Sequence, residues 1–420
     1  MKPRFFLLLL LLTASAMAQT RRQADGRELV VHSNKAYRLT VDQPYTSALI
    51  AYPTGETLQG TYLVVAGDTL PLQADPHAGA GKPMSALVVF RQPVTQLTLQ
   101  TGTLAGAVLL QLFYAPPLPA GYVQAQVSAL ARQGSECVKP AVIPASVWRA
   151  GLTPPKELPV QTKVQFIVVH HSVTSNTATD QVEEVRNIYL LHTLSNGWND
   201  IGYNFLIGRD GVIYEGRDGQ GMMDGDNVLG AHFCAQNSGT MGICLLGNFN
   251  EAQPGSSAIA SLAKLIGWKL KKEGLQPIGM AFHPGSAKQL DVISGHRDGV
   301  CTTECPGNNL YAALPAIRQE VGQVCSFEPT PLATGSSDVD WVVYPNPSRA
   351  MFQVRYRSND PFQVRFDLFD LLGNHWPVRT TYLGADTWQV ASESLPTGLF
   401  FLRYTDGPAS AVKQIWHSRE

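Results

Sequence analysis

The stretch VQFIVVHHS, residues 164–172, constrains the fold more than any other part of the chain. Phe166–Val169 is a continuous run of apolar β-formers, the pattern of a strand covered on both faces. Such strands sit inside sheets flanked by helices. The run ends on His170 and His171, groups that an ordinary core rarely takes up. A second cluster, SGHRDGVCTTECPG over residues 294–307, carries His296, Cys301 and Cys305 in a polar loop. The two clusters are expected to fold onto one another.

Between and beyond them, strand and helix patterns alternate from Lys163 to Val324. Asp180-x-x-Glu183 has the form of a capping box. It starts a helix whose inward face is Val182, Val185, Ile188, Tyr189 and His192, spaced by threes and fours. Tyr203–Ile207 and Val212–Tyr214, joined by Gly208–Gly211, read as a hairpin. Met241–Leu246 reads as a further buried strand. Ser256 or Ser257 caps a helix with Ile259, Leu262, Ile266 and Leu270 on one face, and Gly274 stops it. Pro315 suits the first turn of a last helix carrying Ile317, Val321 and Val324. The expectation is an α/β domain with one central mixed sheet and flanking helices.

A chain of 420 residues exceeds one ordinary core, so other domains are expected on either side. Lys2 and Arg4 precede an apolar run, Phe5–Leu12, and then Ala16-Met17-Ala18, which is the layout of a cleavable secretory signal over residues 1–18. The run is far shorter than the roughly 20 apolar residues that span a bilayer. An exported chain, secreted or at the cell surface, follows, and disulfides persist there.

Residues 19–119 carry short alternating strands punctuated by Pro, Gly and Asp, the mark of a β-sandwich accessory domain. His32 and His77 stand alone in it, without clustered acids or cysteines, and read as surface or turn histidines. This domain binds or spaces; nothing in it points to catalysis. APPLPAG, residues 115–121, marks a boundary, with a short helix over Val123–Arg132 after it. Cys137 opens a lead-in too rich in proline for a helix or a central strand. The middle domain then spans residues 137–326, a linker 327–338, and a C-terminal β-sandwich 339–420. Arg349, Arg355, Arg357, Arg365, Arg379 and Arg403 are scattered among its strands and read as solvent-facing. With a net charge of −1 and no basic stripe, no nucleic-acid partner is expected, and the chain reads as a monomer.

Zinc prefers imidazole and thiolate in tetrahedral sites, and catalytic sites leave one position open for water. His170 stands at the rigid end of a strand, and His296 and Cys305 are nine residues apart in a loop that can present both. That set of donors, with no evident fourth, favours a reactive site. On these residues alone, Cys305 reads equally well as a disulfide cysteine.

Four motifs add to this: VQFIVVHHSVT, GWNDIGYNFLIGRDGVIYEGR, GAHFCAQNSGTMGICLLGNF and SGHRDGVCTTECPGNNLY. Together they resemble the peptidoglycan recognition protein and zinc N-acetylmuramoyl-L-alanine amidase family over about residues 141–324. The resemblance implies that His170, His296 and Cys305 bind Zn2+ and that Tyr203 orients water or donates to the developing oxyanion. The reaction implied is hydrolysis of the amide between the muramic lactyl group and L-alanine in peptidoglycan, with a peptidoglycan-binding protein that does not cut as the alternative. Thr303 stands where some relatives carry a transition-state-stabilising lysine. His192, Trp198, His232 and Asn237 match positions lining the muramyl-peptide groove, while His171 reads as support for the site or as packing.

Two departures stand out. The His296–Cys305 spacing is one residue longer than the usual pattern, an insertion around Gly299–Thr302 that leaves Cys301 as a rival ligand or a disulfide partner. The segment EGRDGQGMMDGDNVLGAH is longer and more polar than the usual link and is expected to alter the substrate rim. Cys137 and Cys325 flank the domain and would clamp its ends, and Cys234 with Cys244 is a second candidate pair. At the C-terminus, VYPNPS, FDLFDLLGN, LPTGLFFLRY and AVKQIW resemble the type A sorting domain of the type IX secretion pathway, implying that machinery as a partner.

Overall fold

The computed structural model describes residues 20–325 except 24–25, 33–35, 79–80, 82, 120 and 124–136. It also describes residue 327 and residues 341–418 except 359–360, 362–363, 371–374 and 407–408. The expected signal at 1–18, the linker after Phe327, and all but the start of the helix expected over Val123–Arg132 lie outside the described residues. The chain forms two compact units, Met1–Ser326 and Phe327–Glu420.

The first unit opens with strands β1 (Thr20–Gln23), β2 (Gly26–His32), β3 (Ala36–Ala51), β4 (Thr61–Val65), β5 (Asp68–Pro71), β6 (Val88–Thr101) and β7 (Ala107–Phe113). They make one antiparallel seven-stranded sheet in the order β1-β2-β7-β3-β6-β4-β5. Register shifts in the β3–β6 ladder around Tyr45 are bulges, which bend and twist long strands and fold such a sheet over its own core. Leu63, Leu99, Leu110 and Leu112 fill that core. Leu49, Leu87 and Phe113 instead join a core cluster with Val185, Ile188 and Leu191 of the next domain. The two domains therefore share buried apolar surface.

The second sheet contains β8 (Val142–Ile143), β9 (Phe166–His171), β10 (Phe205–Ile207), β11 (Ile213–Glu215) and β12 (Thr240–Leu245). A separate hairpin, β13 (Met280–His283) with β14 (Lys288–Asp291), precedes its last strand, β15 (Ile293–Gly295). The order is β15-β9-β12-β10-β11-β8, parallel throughout except for the β10–β11 hairpin. Every residue of β9 and of β12 is buried, as two-sided strands in such a sheet must be.

Helices α1 (Gln181–Leu190), α2 (Ser256–Glu273) and α3 (Asn308–Val324) flank this sheet. Asp180 caps α1 by accepting from the Glu183 amide at 2.9 Å. His192 lies beyond α1, on a π-helical turn at Leu191–Ser195. Gly274 ends α2 in the left-handed conformation, φ 67°, as expected, but the N-cap is Gly255 and neither serine serves. The expected start of the last helix is corrected: it begins at Asn308, and Pro315 sits within it. Ile317 and Val321 are buried there, whereas Val324 is exposed. The proline-rich lead-in supplies the edge strand β8 and, against expectation, one helical turn at Ala145–Trp148 begun by Pro144.

In the second unit two four-stranded antiparallel sheets enclose Phe352, Val354, Leu368, Val390, Leu402 and Ile415. The six arginines named above are all exposed on it.

Candidate metal centre

The fold explains why His170 and His296 meet. β9 and β15 are adjacent parallel strands, with Val169 opposite Gly295, so the residue after each stands at the same edge. That edge is the carboxyl end of the parallel strands, where ligand sites in open α/β sheets form. Past His296 the chain makes one 3-10 turn and returns, closed by the Arg297 amide donating to the Cys305 carbonyl at 2.9 Å. Asp298 braces the turn by accepting from the Gly295 amide at 2.8 Å and from the Tyr311 hydroxyl at 2.6 Å. Gly307, at φ 89°, completes the return: a Cβ there would lie 2.6 Å from the Phe249 backbone. Cys305 ends with its sulfur 3.6 Å from His170 Nδ1 and 3.4 Å from the His171 amide.

His170 is held from behind. Its Nε2 lies 3.0 Å from His232 Nδ1, and His232 Nε2 lies 3.2 Å from the Thr240 hydroxyl. Gly242 makes room for this, since a Cβ on it would lie 2.5 Å from His232 Cγ. Asn237 in turn accepts from the amides of His232 and Phe233 at 2.7 and 2.8 Å. The structure thus puts His232 behind His170 and gives Asn237 the task of fixing that loop.

His296 Nε2 rests on a disulfide, 3.1 Å from the Cys234 sulfur and 3.4 Å from that of Cys301. Cys301 is therefore paired with Cys234, not with a metal, and the candidate Cys234–Cys244 pair is corrected. Cys244 is a buried free thiol beside His170 in the β9–β12 ladder. Cys137 and Cys325 are joined, as their flanking positions implied.

A fourth donor comes from where none was expected. His77, read from the sequence as an isolated surface histidine, enters the cluster from the N-terminal domain. One donor atom from each of His77, His170, His296 and Cys305 lies within 4.8 Å of all the others. The His77 ring stacks on His296 at 5.8 Å between centroids and meets His171 edge-on at 5.7 Å. Its Nδ1 lies 3.0 Å from Asp75, an acid two residues away.

The donor chemistry fits a soft cation. His296 Nδ1 and His77 Nε2 are buried with no hydrogen-bond partner. An unsatisfied buried polar atom costs roughly 1–3 kcal/mol, a cost that coordination removes. Burial, and then the neighbouring imidazoles, push His170 and His296 well below the ordinary histidine range, so both present the neutral form that metals bind. Burial likewise lowers His171 to about 2; its Nδ1 accepts from the Phe249 amide at 3.2 Å.

Rings lead outward from this centre. His170 contacts Tyr203 at 5.1 Å, Tyr203 contacts His192 at 5.4 Å, and His192 contacts Trp198 at 4.7 Å. Only Trp198 is substantially exposed, at 37%. His192 Nδ1 accepts from the Gly202 amide at 3.0 Å. Burial, with Cys244 next, raises the Tyr203 phenol well above its ordinary value, so it stays a proton donor. Thr303 donates its hydroxyl to the Pro76 carbonyl at 3.1 Å and accepts from the Cys305 amide at 3.2 Å.

The mixed α/β domain thus gathers imidazoles and a thiol, a donor set that could hold a metal ion, at the carboxyl edge of its sheet. Residues 160–308 match the family model described as N-acetylmuramoyl-L-alanine amidase, and residues 342–417 that of the secretion system C-terminal sorting domain. Peptidoglycan-recognition protein SC2 of Drosophila melanogaster is 34% identical over 172 residues, covering 40% of this chain and 82% of that protein. The N-acetylmuramoyl-L-alanine amidase of Homo sapiens is 31% identical over 179 residues, 42% of this chain and 28% of that protein. Among solved structures, Drosophila PGRP-LB aligns at 32% identity over 42% of this chain and 92% of that one, with a TM-score of 0.34. PGRP-LE in complex with tracheal cytotoxin, a monomeric diaminopimelic acid-type peptidoglycan, aligns at 29% identity over 42% and 93%, with a TM-score of 0.34. The chain belongs to the peptidoglycan recognition protein and N-acetylmuramoyl-L-alanine amidase family, and it carries a secretion sorting domain at its C-terminus.

Proposed function

We propose that this protein is an exported zinc-dependent N-acetylmuramoyl-L-alanine amidase, cleaving the lactyl–L-alanine amide of peptidoglycan. The observation that carries the reading is the convergence of His170, His296 and Cys305, with a buried, unsatisfied His296 nitrogen among them. His170, His296 and Cys305 would hold the ion. Zinc there supplies a Lewis acid that polarises the scissile carbonyl and acidifies the attacking water.

The chain's own groups do the rest. His232 fixes the direction of His170, as a hydrogen-bonded partner behind a ligand does. Tyr203, kept protonated by burial, donates toward the oxygen on which charge develops. The exposed Trp198 ring, tilted against buried His192, offers an apolar ledge at the surface end of the ring series for the muramyl peptide. Thr303 brings no charge, so less electrostatic stabilisation is available than a lysine would give. The sorting domain and the signal-like start support export to the cell surface or beyond, through the type IX machinery.

One observation favours the alternative, a recognition protein that binds without cutting. Four protein donors fill a tetrahedral zinc site, and closed sites are structural. Incubating the purified mature chain and its His77→Ala variant with muramyl peptides, with and without a chelator, decides between them. Chelator-sensitive release of peptide from the lactyl group supports the amidase. Binding without release by both proteins supports recognition alone.

A further inference from the structure

The N-terminal sheet is not a neutral neighbour of the metal centre. We propose that His77 is the fourth ligand of the same ion, and that its loop closes the site in the resting chain until it is displaced. The inference rests on the metal-site reading above.

Three observations carry it. His77 Nε2 is buried, has no hydrogen-bond partner, and belongs to the same 4.8 Å group of donors as His170, His296 and Cys305. Its other nitrogen is paired with the Asp75 carboxylate at 3.0 Å, the outer-shell pairing that fixes tautomer and direction in metal-bound histidines. The loop is also moored to the metal-site domain on both sides of Asp75. Gln73 donates to Glu251 at 2.5 Å and accepts from Asn248 at 3.3 Å, and Thr303 holds Pro76. A cation shared by the Cys305 sulfur and the three imidazoles accounts for their convergence.

The consequence is latency. With His77 in place the donors are His, His, His and Cys, and neither water nor a substrate carbonyl has a coordination position. Release would leave His77 beside Asp75 and free one position for an incoming oxygen. Leu49, Leu87 and Phe113 bury apolar surface against Val185, Ile188 and Leu191, whereas the loop is held by polar contacts. The domain body therefore stays docked while the loop releases.

The test uses the mature full-length chain with cobalt(II) in place of zinc and azide as the probe. The visible spectrum of the wild-type protein is expected to ignore azide, and that of His77→Ala to shift with it. Zinc affinity should fall at least about tenfold in His77→Ala and about 10–100-fold in Asp75→Asn. Hydrolysis of muramyl peptides should rise in His77→Ala. A wild-type spectrum that responds to azide as the variant's does overturns the proposal. An azide-responsive His77→Ala that cuts nothing leaves the fourth ligand standing and sinks the amidase reading instead. If His77→Ala does not fold, His77→Gln and Asp75→Asn carry the comparison, and unchanged zinc affinity in both overturns it.

Discussion

His170 and His77 reach the same point by opposite means. His170 ends a central strand buried on both sides, and its far nitrogen is fixed through His232 to Thr240. His77 arrives on a loop after the edge strand β5, backed by Asp75 and tied across a domain boundary by single hydrogen bonds. One ligand cannot leave without breaking the sheet. The other can leave at the cost of a few polar contacts. A site can thus be held rigid for chemistry on one side and removable on the other, and the two sides should respond differently to mutation.

The largest expected effect is on the fixed side. His170→Ala should abolish zinc retention on dialysis and lower hydrolysis by about a thousandfold, the scale of several kcal/mol of lost electrostatic stabilisation. The paired supports then separate the two sides. His232→Ala and Asp75→Asn should each weaken zinc binding by about 10–100-fold in a competition titration. Their effects on hydrolysis should have opposite signs, with the first lowering it and the second raising it. Equal losses in both would remove the distinction.

A pH titration examines the ring series beneath the loop. Burial, with His77 next, lowers His192 to about 3, far under the unfolded value of about 6.5. A depressed base contributes stability that is present above the unfolded value and is lost as the pH falls toward the folded one. In metal-free protein the urea midpoint should therefore drop between about pH 6 and 3, with His192 contributing up to about 1.4 kcal/mol per pH unit. His192→Gln should flatten that slope. The smallest effect belongs to Gln73→Ala, which removes contacts to Glu251 and Asn248. At about 1 kcal/mol it should favour the open loop by about fivefold, read as a modest rise in azide response.

Much of the metal-site domain was legible in the sequence because its signals are local. The apolar run before His170, the Asp180 cap and the Gly274 stop each act within a few residues, and each took its expected place. Pro315 misled because proline is favoured in a first turn, while the true first turn at Asn308 carries no side-chain cap. His77 was illegible for a different reason. Its partners lie about 90 to 230 positions away along the chain, and no periodicity encodes a loop crossing between domains. The one local trace was Asp75, whose place two residues before His77 matches the carboxylate support of a ligand. Cys301 was similarly ambiguous until the fold set Cys234 beside it.

X-ray absorption at the zinc edge of the purified, zinc-loaded mature chain reads the ligand set directly. The expected shell is three imidazole nitrogens at about 2.0–2.1 Å and one sulfur at about 2.3 Å. A shell with two sulfurs would place the metal on Cys234 and Cys301 beside His296, and would contradict the site built from His170, His296, Cys305 and His77.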